Sequence, residues 1–197
     1  MLFIAVGLPG VGKTSVLKGV IERAKDDGIK VSLVNFGDIM LEEGLKKQIV
    51  KDRDEIRKLK TATQRYLQKL AAKRIKEITR REGADILIVD THVFIRTPRE
   101  YFIGLPRDVL DLLSPDVILV VTAKPEEIYQ RRSQDSTRVR EDFPPEEITL
   151  HQNLTIYGGA AAALYVGADL VIIENPQGAI DTAINKLFEI IKLRIKR

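Results

Sequence analysis

The feature that most restricts the fold of this chain is a glycine-rich segment near its amino terminus, Gly7-Leu8-Pro9-Gly10-Val11-Gly12-Lys13-Thr14. It follows a short apolar run, residues 2–6, and leads into a segment of helical periodicity, residues 13–27. A strand, a G-x-x-x-x-G-K-T turn and a helix in this order form a loop whose backbone N–H groups bind phosphate at a helix N-terminus. The segment therefore predicts a site for a nucleotide.

The residue types in this loop match the chemistry of binding a nucleoside triphosphate. Glycine lets backbone N–H groups curl around phosphate oxygens, where the positive end of the helix dipole favours anions. Lys13 is expected to contact the β- and γ-phosphates of ATP, and the Thr14 hydroxyl is expected to bind Mg²⁺. We therefore predict that the contacts to ATP come from Gly7, Pro9, Gly10, Val11, Gly12, Lys13, Thr14 and Ser15.

Five short apolar runs alternate with segments of helical periodicity along the 197 residues. Alternating strands and helices are typical of a parallel sheet covered by helices on both faces. A chain of this length also corresponds to one domain. The sequence thus predicts a single three-layer α/β/α domain of the P-loop NTPase kind, with a five-stranded parallel sheet formed by residues 2–6, 31–34, 86–89, 117–121 and 170–173.

The stretch between the second and third apolar runs is too long for a simple crossover. It carries two apolar stripes with helical spacing, so we interpret residues 37–82 as an inserted helical arm that would bind the acceptor of a transfer reaction. Arg53 and Arg57 lie four positions apart and share one face of a helix, where they could hold an acceptor phosphate. The alternative is that they pair with Asp54 or Glu55 on a solvated face.

Asp90 ends the third apolar run, so its carboxylate is expected at the carboxyl edge of the sheet, where ligands of open α/β sheets bind. It is the expected second ligand of Mg²⁺ beside Thr14, with a helix cap as the alternative. Thr91 and His92 follow directly and could hydrogen-bond a substrate. A histidine in this place is as often a structural residue, and the sequence leaves both interpretations of His92 open.

Phosphoryl transfer requires fixed cations around the transferred group, and arginine suits this task because its planar fork can make two hydrogen bonds to a phosphate. A helix after the fourth run ends near Arg132. Arg138 and Arg140 lie in an irregular stretch, residues 134–145, that we interpret as a short lid. We predict that Lys13, Arg132, Arg138 and Arg140 are catalytic, with plain solvation of the arginines as the alternative.

Composition excludes several classes of protein. The absence of cysteine and the presence of only two histidines rule out disulfides and argue against zinc, so the expected metal is Mg²⁺ with oxygen ligands. No apolar run is long enough to span a membrane, and we expect a cytoplasmic protein without a membrane partner. The net charge of +4 is small and aromatic residues are few, which does not favour a nucleic-acid partner. Abundant charged and β-branched residues fit a thermophilic source.

These segments together resemble the archaeal-type adenylate kinases, a group of nucleoside monophosphate kinases. The glycine-rich loop alone indicates only the superfamily, whereas Asp90-Thr91-His92, the arginine helix and the short lid narrow the resemblance. It spans nearly the whole chain. The segments that carry it are residues 7–14, 36–40, 53–59, 90–92, 104–106, 131–132 and 137–140.

The resemblance implies reversible transfer of the γ-phosphoryl group of ATP to AMP, giving two ADP, with Mg²⁺. It implies that Arg132, Arg138 and Arg140 contact phosphates and that the backbone of residues 175–178 borders the ATP adenine. Homotrimers occur in this group, so a homo-oligomer is expected. The residues expected to bind AMP are Gly37, Asp38, Met40, Arg53, Arg57, Thr91 and His92.

One segment departs from the better-known bacterial pattern. Bacterial adenylate kinases hold AMP through Gly-Phe-Pro-Arg, whereas this chain has residues 90–98 in its place. The base selectivity of those enzymes therefore does not carry over to this chain.

Three other functions remain open on the sequence. A kinase with another acceptor, such as CMP, UMP or a small hydroxylated metabolite, would differ only in the arm. A nucleotide-dependent switch usually reads guanine through an Asn-Lys-x-Asp segment, whereas residues 122–125 read Thr-Ala-Lys-Pro. An RNA-associated ATPase would be expected to carry a cluster of basic and aromatic residues, which this sequence lacks.

Overall fold

The computed structural model describes residues 1–97, 100–134 and 143–196. In these ranges the elements are β1 (Leu2–Val6), α1 (Lys13–Asp26), β2 (Val31–Asn35), α2 (Phe36–Lys46), α3 (Arg53–Lys58), α4 (Thr61–Arg81), β3 (Ile86–Asp90), β4 (Phe94–Arg96), β5 (Tyr101–Ile103), α5 (Arg107–Leu113), β6 (Val117–Thr122), α6 (Pro125–Ser133), α7 (Pro145–Val166), β7 (Asp169–Glu174) and α8 (Ile180–Ile195).

The five apolar runs of the sequence form one parallel sheet in the order β2-β3-β1-β6-β7. The three central strands are buried along their whole length, which explains why each is an almost continuous apolar run rather than an alternating one. Side chains of β1 alternate between two apolar clusters: Ile4 packs in the cluster that contains α2, α4 and α5, and Phe3 in the cluster that contains α1 and α8. The predicted three-layer α/β/α fold with a five-stranded parallel sheet is confirmed.

A second, two-stranded antiparallel sheet was not predicted from the sequence. It consists of β4 and β5, with Phe94 opposite Ile103 and Arg96 opposite Tyr101. Each strand has three residues, which is too short for a period-two pattern to stand out. The hairpin packs on α7, where His151 lies edge-to-face with Tyr101 at 5.0 Å between ring centroids.

The sequence showed two apolar stripes in the predicted arm, and the structure has three helices there, α2, α3 and α4. α2 and α4 contribute buried side chains to the same cluster as β1, among them Phe36, Leu67 and Ile75. α3 is a short helix without any buried residue. The limits of the arm, residues 37–82, remain a prediction, and most of the predicted lid, residues 134–145, lies outside the described residues.

No helix in the part of the chain that the structure describes combines the length and the apolar character needed to cross a membrane.

Candidate active site

The glycine-rich loop follows β1 directly and ends in the first turn of α1. Gly10 and Gly12 have φ angles of 96° and 80°, in the left-handed region that favours glycine. Gly12 is also the N-cap of α1, so the first N–H groups of this helix open towards the loop. At Gly12 a Cβ atom would collide with the side-chain amide of Asn175. Glycine is therefore required at position 12 by both the backbone conformation and the packing.

Side chains from two distant segments hold the backbone of this loop. The Nδ2 of Asn175 donates a 2.7 Å hydrogen bond to the carbonyl of Val11, and Nη1 of Arg131 donates to the same carbonyl at 3.2 Å. Nε of Arg132 donates to the carbonyl of Pro9 at 2.8 Å. Charged donors make stronger hydrogen bonds than neutral ones, so the two arginines fix the shape of the loop.

Arg131 has a further set of partners that the sequence did not reveal. It donates to the carbonyl of Asn175 at 3.0 Å and to Oε1 of Gln177 at 2.6 Å, and it pairs with Glu127 at 3.3 Å. These contacts join the end of α6 to the segment after β7. Arg131 thus ties the loop to the segment after β7, whereas the neighbouring Arg132 donates to the carbonyl of Pro9 in the loop.

Lys13 and Asp90 meet at the carboxyl edge of the sheet, as an ion pair between Nζ and Oδ1 with both side chains buried. Burial lowers the pKa of the Lys13 ammonium to about 7, and the adjacent carboxylate acts in the opposite direction by favouring its charged form. Oδ1 of Asp90 is thus occupied by the Lys13 ammonium, and the second oxygen lies 3.5 Å from Nδ2 of Asn35. The Asp90 carboxylate is therefore held by a charged donor on one oxygen and by a long amide contact on the other.

Asn35 links this carboxylate to the predicted arm. It is the N-cap of α2, where its Oδ1 accepts a 3.1 Å hydrogen bond from the backbone N–H of Asp38. The same oxygen lies 3.3 Å from Nη2 of Arg53, and Arg53 pairs with Asp38 at 2.6 Å. A Cβ at Gly37 would lie 2.5 Å from Arg53, so glycine leaves room for the guanidinium. The structure thus brings Gly37, Asp38 and Arg53 together.

His92 lies between the loop and the arm. The pKa of its imidazole is lowered to about 3, first by burial and then by the positive charges of Lys13, His151, Arg53 and Arg57. His92 is consequently neutral at physiological pH and can both donate and accept one hydrogen bond. Positive charges of the loop and of the predicted arm thus both act on one neutral side chain.

The other predicted residues differ in their surroundings. Thr14 and Ser15 are exposed in the first turn of α1, where a ligand can reach them. Thr91 is buried and its N–H bonds to the carbonyl of Ala5, which continues the sheet. Met40 packs in the apolar core beside β1. Arg138 and Arg140, both predicted to be catalytic, lie outside the described residues.

Sequence reasoning missed the side chains of Asn35 and Asn175. A signal for Asn35 exists, since an Asn directly after an apolar run is a frequent helix cap. For Asn175 the sequence showed only that it follows the fifth run. The contact of its side chain could not be predicted, because its partner, the Val11 carbonyl, is 164 residues away.

The sheet order, the glycine loop and the carboxylate that ends β3 define a P-loop nucleotide-binding protein. In agreement, a family model described as AAA domain matches residues 6–149.

Curated relatives narrow the assignment. The chain is 40% identical over 198 residues to an adenylate kinase of Thermococcus kodakarensis, and the alignment covers 99% of this chain and 98% of the relative. It is 39% identical over 189 residues to an adenylate kinase of Methanocaldococcus jannaschii, at 96% and 97% coverage. An adenylate kinase of Saccharolobus solfataricus is 43% identical over 177 residues, at 89% and 91% coverage. The chain belongs to the adenylate kinase family.

Proposed function

We propose that this chain catalyses the reversible transfer of the γ-phosphoryl group of ATP to AMP, giving two ADP. As a member of the adenylate kinase family it is a nucleoside monophosphate kinase. The observation that carries the assignment of sites is the Asn35 side chain, whose Nδ2 lies 3.5 Å from Asp90, the partner of Lys13, and whose Oδ1 lies 3.3 Å from Nη2 of Arg53. A donor phosphate on the loop and an acceptor phosphate on the arm would then approach each other near Asn35.

On the donor side, the backbone N–H groups of residues 10–14 bind the β- and γ-phosphates, and Lys13 neutralises their charge. On the acceptor side, Arg57 binds the phosphate of AMP, and Arg53 is oriented by Asp38 and Asn35. No general base is required, because a phosphate oxygen of AMP is already anionic. Arg132, Arg138 and Arg140 are proposed to complete the set of cations around the transferred group.

Mg²⁺ fits the donor set at the edge of the sheet. The carboxylate of Asp90 ends β3 at the carboxyl edge of the sheet, where its second oxygen has only a 3.5 Å contact with Asn35, and the Thr14 hydroxyl is exposed in the first turn of α1. Hard oxygen donors of this kind, together with phosphate oxygens, are the ligands that Mg²⁺ prefers. When held by Thr14 and Asp90, the ion would neutralise negative charge on the phosphates of ATP.

A panel of acceptors tests the proposed reaction. MgATP is incubated with the chain and with AMP, CMP, UMP, GMP or water, and the nucleotide products are separated by chromatography. Formation of ADP with AMP, well above the level with the other acceptors, is expected. Transfer mainly to CMP or UMP would show another acceptor, and release of phosphate from ATP in water alone would contradict a kinase.

The acceptor site has its own test. Arg57→Ala is expected to raise the KM for AMP at least tenfold, about 1.4 kcal/mol, since hydrogen bonds to charged groups contribute about 1.5–3 kcal/mol. The KM for ATP should not change. Lys58→Ala, which removes the neighbouring exposed cation of the same helix, is the matched control. An equal effect of the two substitutions would show that only the overall charge matters.

We infer further that the chain is a cytoplasmic homo-oligomer. What supports assembly is one face of α7, where Leu150, Tyr157 and Leu164 are 55%, 68% and 85% exposed. Residues seven apart lie on one stripe of a helix, and an exposed apolar stripe is typical of an interface. Light scattering should give a mass of two or more chains, and Leu164→Glu should lower it. A single-chain mass for the unmodified chain would contradict assembly.

A further inference from the structure

Two glutamines of α4 have buried side chains. Gln64 is 6% exposed and Gln68 is 1% exposed. They lie four positions apart, so they share the face of α4 that otherwise carries Leu67, Ala71 and Ile75 in the apolar core. Burying an amide among apolar side chains is costly unless it makes hydrogen bonds. The partners of the two amides therefore indicate why polar residues are retained there.

Gln64 contacts the helix that carries the acceptor arginines. Its Nε2 donates a 2.9 Å hydrogen bond to the carbonyl of Ile56, which lies in α3 between Arg53 and Arg57. α3 has six residues and none of them is buried. Ile56 packs partly against the apolar core and Arg53 pairs with Asp38, and the hydrogen bond from Gln64 adds the contact that ties the backbone of α3 to α4.

Gln68 contacts the segment behind His92. Its Nε2 donates to the carbonyls of Ile103 and Gly104 at 2.9 and 3.4 Å. Gly104 in turn packs so closely on the carbonyl of His92 that a Cβ would collide with it, and its N–H bonds to the carbonyl of Val93 at 2.8 Å. The position of His92 is thereby linked through one residue to the side chain of Gln68.

The orientation of the Gln68 amide follows from its partners. A carbonyl oxygen only accepts hydrogen bonds, so the atom that faces Ile103 and Gly104 must be the nitrogen. The Oε1 on the other side is buried and has no hydrogen-bond partner among the described residues. An unpaired buried oxygen lowers stability. Gln68 is therefore a poor choice for stability alone, which favours a role in function.

We propose that Gln64 and Gln68 are positioning residues for the acceptor nucleotide. One helix, α4, holds both α3 and the end of β5, on which the carbonyl of His92 packs, so its two amides fix the separation between Arg57 and His92. The inference rests on the proposed function, because it assumes that the acceptor phosphate binds between these two elements. Gln64 and Gln68 themselves need not touch the substrate.

The test separates positioning from simple stabilisation. Gln64→Met and Gln68→Met keep the length of the side chain and remove the donor. Gln152→Met is the matched control, since Gln152 also binds backbone, with Nε2 2.9 Å from the carbonyl of Ala123, but on the segment after β6. The KM for AMP, the KM for ATP, kcat and Tm are measured for each variant and for the wild-type chain.

The expected result is a rise of about tenfold in the KM for AMP for Gln64→Met and a smaller rise for Gln68→Met, with the KM for ATP within about twofold of wild type. Gln152→Met should leave the KM for AMP unchanged. An equal rise of both KM values, or a fall in Tm without any change in the KM for AMP, would overturn the proposal.

Gln64→Glu provides a second readout that a merely structural role would not produce. At neutral pH the carboxylate has no hydrogen to donate to Ile56, whereas the protonated acid has one. Burial raises the pKa of a carboxyl group, so recovery should begin at mildly acid pH. The KM for AMP of this variant, divided by that of wild type at the same pH, should fall as the pH is lowered. A ratio that does not depend on pH would overturn the proposal.

Failure of the inference can be told apart from failure of the proposed function. If Arg57→Ala raises the KM for AMP and neither glutamine variant does, the positioning role is wrong and the acceptor site stands. If the wild-type chain does not transfer phosphate to AMP, the proposed function itself is wrong.

Discussion

Lys13 and Asp90 form an ion pair in which each side chain is only 7% exposed. They reach the same point because Asp90 ends β3 in register with Ala5 of β1, and Lys13 begins the helix that follows β1. Removing one member of a buried pair leaves an uncompensated charge, although the intact pair contributes little net stability. The pair therefore couples the stability of the fold to the phosphate site.

Asp90→Asn should lower the free energy of unfolding by about 3 kcal/mol, because Lys13 stays buried without its partner. Lys13→Met should act in the same direction. The double variant should lose at least about 1 kcal/mol less than the sum of the single variants, since the two side chains interact directly. Urea unfolding of the four proteins measures this. Additive losses would contradict a coupled pair.

Gly12→Ala should impair ATP binding and stability together. The substitution forces alanine into a left-handed conformation, which costs about 1–2 kcal/mol, and also displaces the amide of Asn175. Gly28→Ala is the control, because Gly28 has a similar φ of 74° and no atom within 4 Å of the added Cβ. Both variants should lose stability, but only Gly12→Ala should raise the KM for ATP by tenfold or more. If the KM for ATP of Gly12→Ala equalled that of Gly28→Ala, the contact between position 12 and Asn175 would not matter for ATP binding.

Arg131→Met should weaken the ATP side of the site. The variant loses the hydrogen bonds to Val11, Asn175 and Gln177, whose combined loss should cost about 1.5–3 kcal/mol because the contributions of neighbouring interactions do not add. We expect a loss of about 2 kcal/mol in stability and a severalfold rise in the KM for ATP, with the KM for AMP unchanged. Arg107→Met, at an exposed arginine of α5, should change neither KM. Steady-state kinetics and thermal unfolding measure both quantities.

His92→Gln should make the protein less sensitive to acid. The pKa of His92 is about 3 in the folded chain, against 6.5 for an ordinary histidine. Between these values the unfolded chain binds a proton that the folded chain does not, so stability falls as the pH falls from 6.5 towards 3. A shift of one pKa unit corresponds to about 1.4 kcal/mol of stability. Because His92 is partly exposed, we discount the full shift and expect its titration to lower the free energy of unfolding by about 2 kcal/mol.

Unfolding curves of wild type and His92→Gln at a series of pH values check this effect. As the pH is lowered from 6.5 towards 3, the free energy of unfolding of wild type should fall by about 2 kcal/mol more than that of His92→Gln. The pKa of His151 is also lowered by burial, but this residue is present in both proteins and does not affect the difference. If the free energies of unfolding of the two proteins changed in parallel with pH, folding would not lower the pKa of His92.

The sheet and its order of layers could be predicted because the strands are short, apolar and separated by helical segments, so each leaves a local pattern. The hairpin of β4 and β5 could not, since three-residue strands carry too little periodicity. The helix that carries Arg53 and Arg57 was predicted. The hydrogen bond that it accepts from Gln64 was not, because this contact exists only once α4 packs beside it.

What the sequence determined by itself is the nucleotide loop, because its whole signal lies in eight consecutive residues between a strand and a helix. What only the tertiary structure decided is how that loop is held. The carbonyl of Val11 accepts hydrogen bonds from Arg131 and Asn175, which are 120 and 164 residues away along the chain. Contacts at such separations leave no local pattern, because they depend on how the strands are ordered in the sheet rather than on the residues next to the loop.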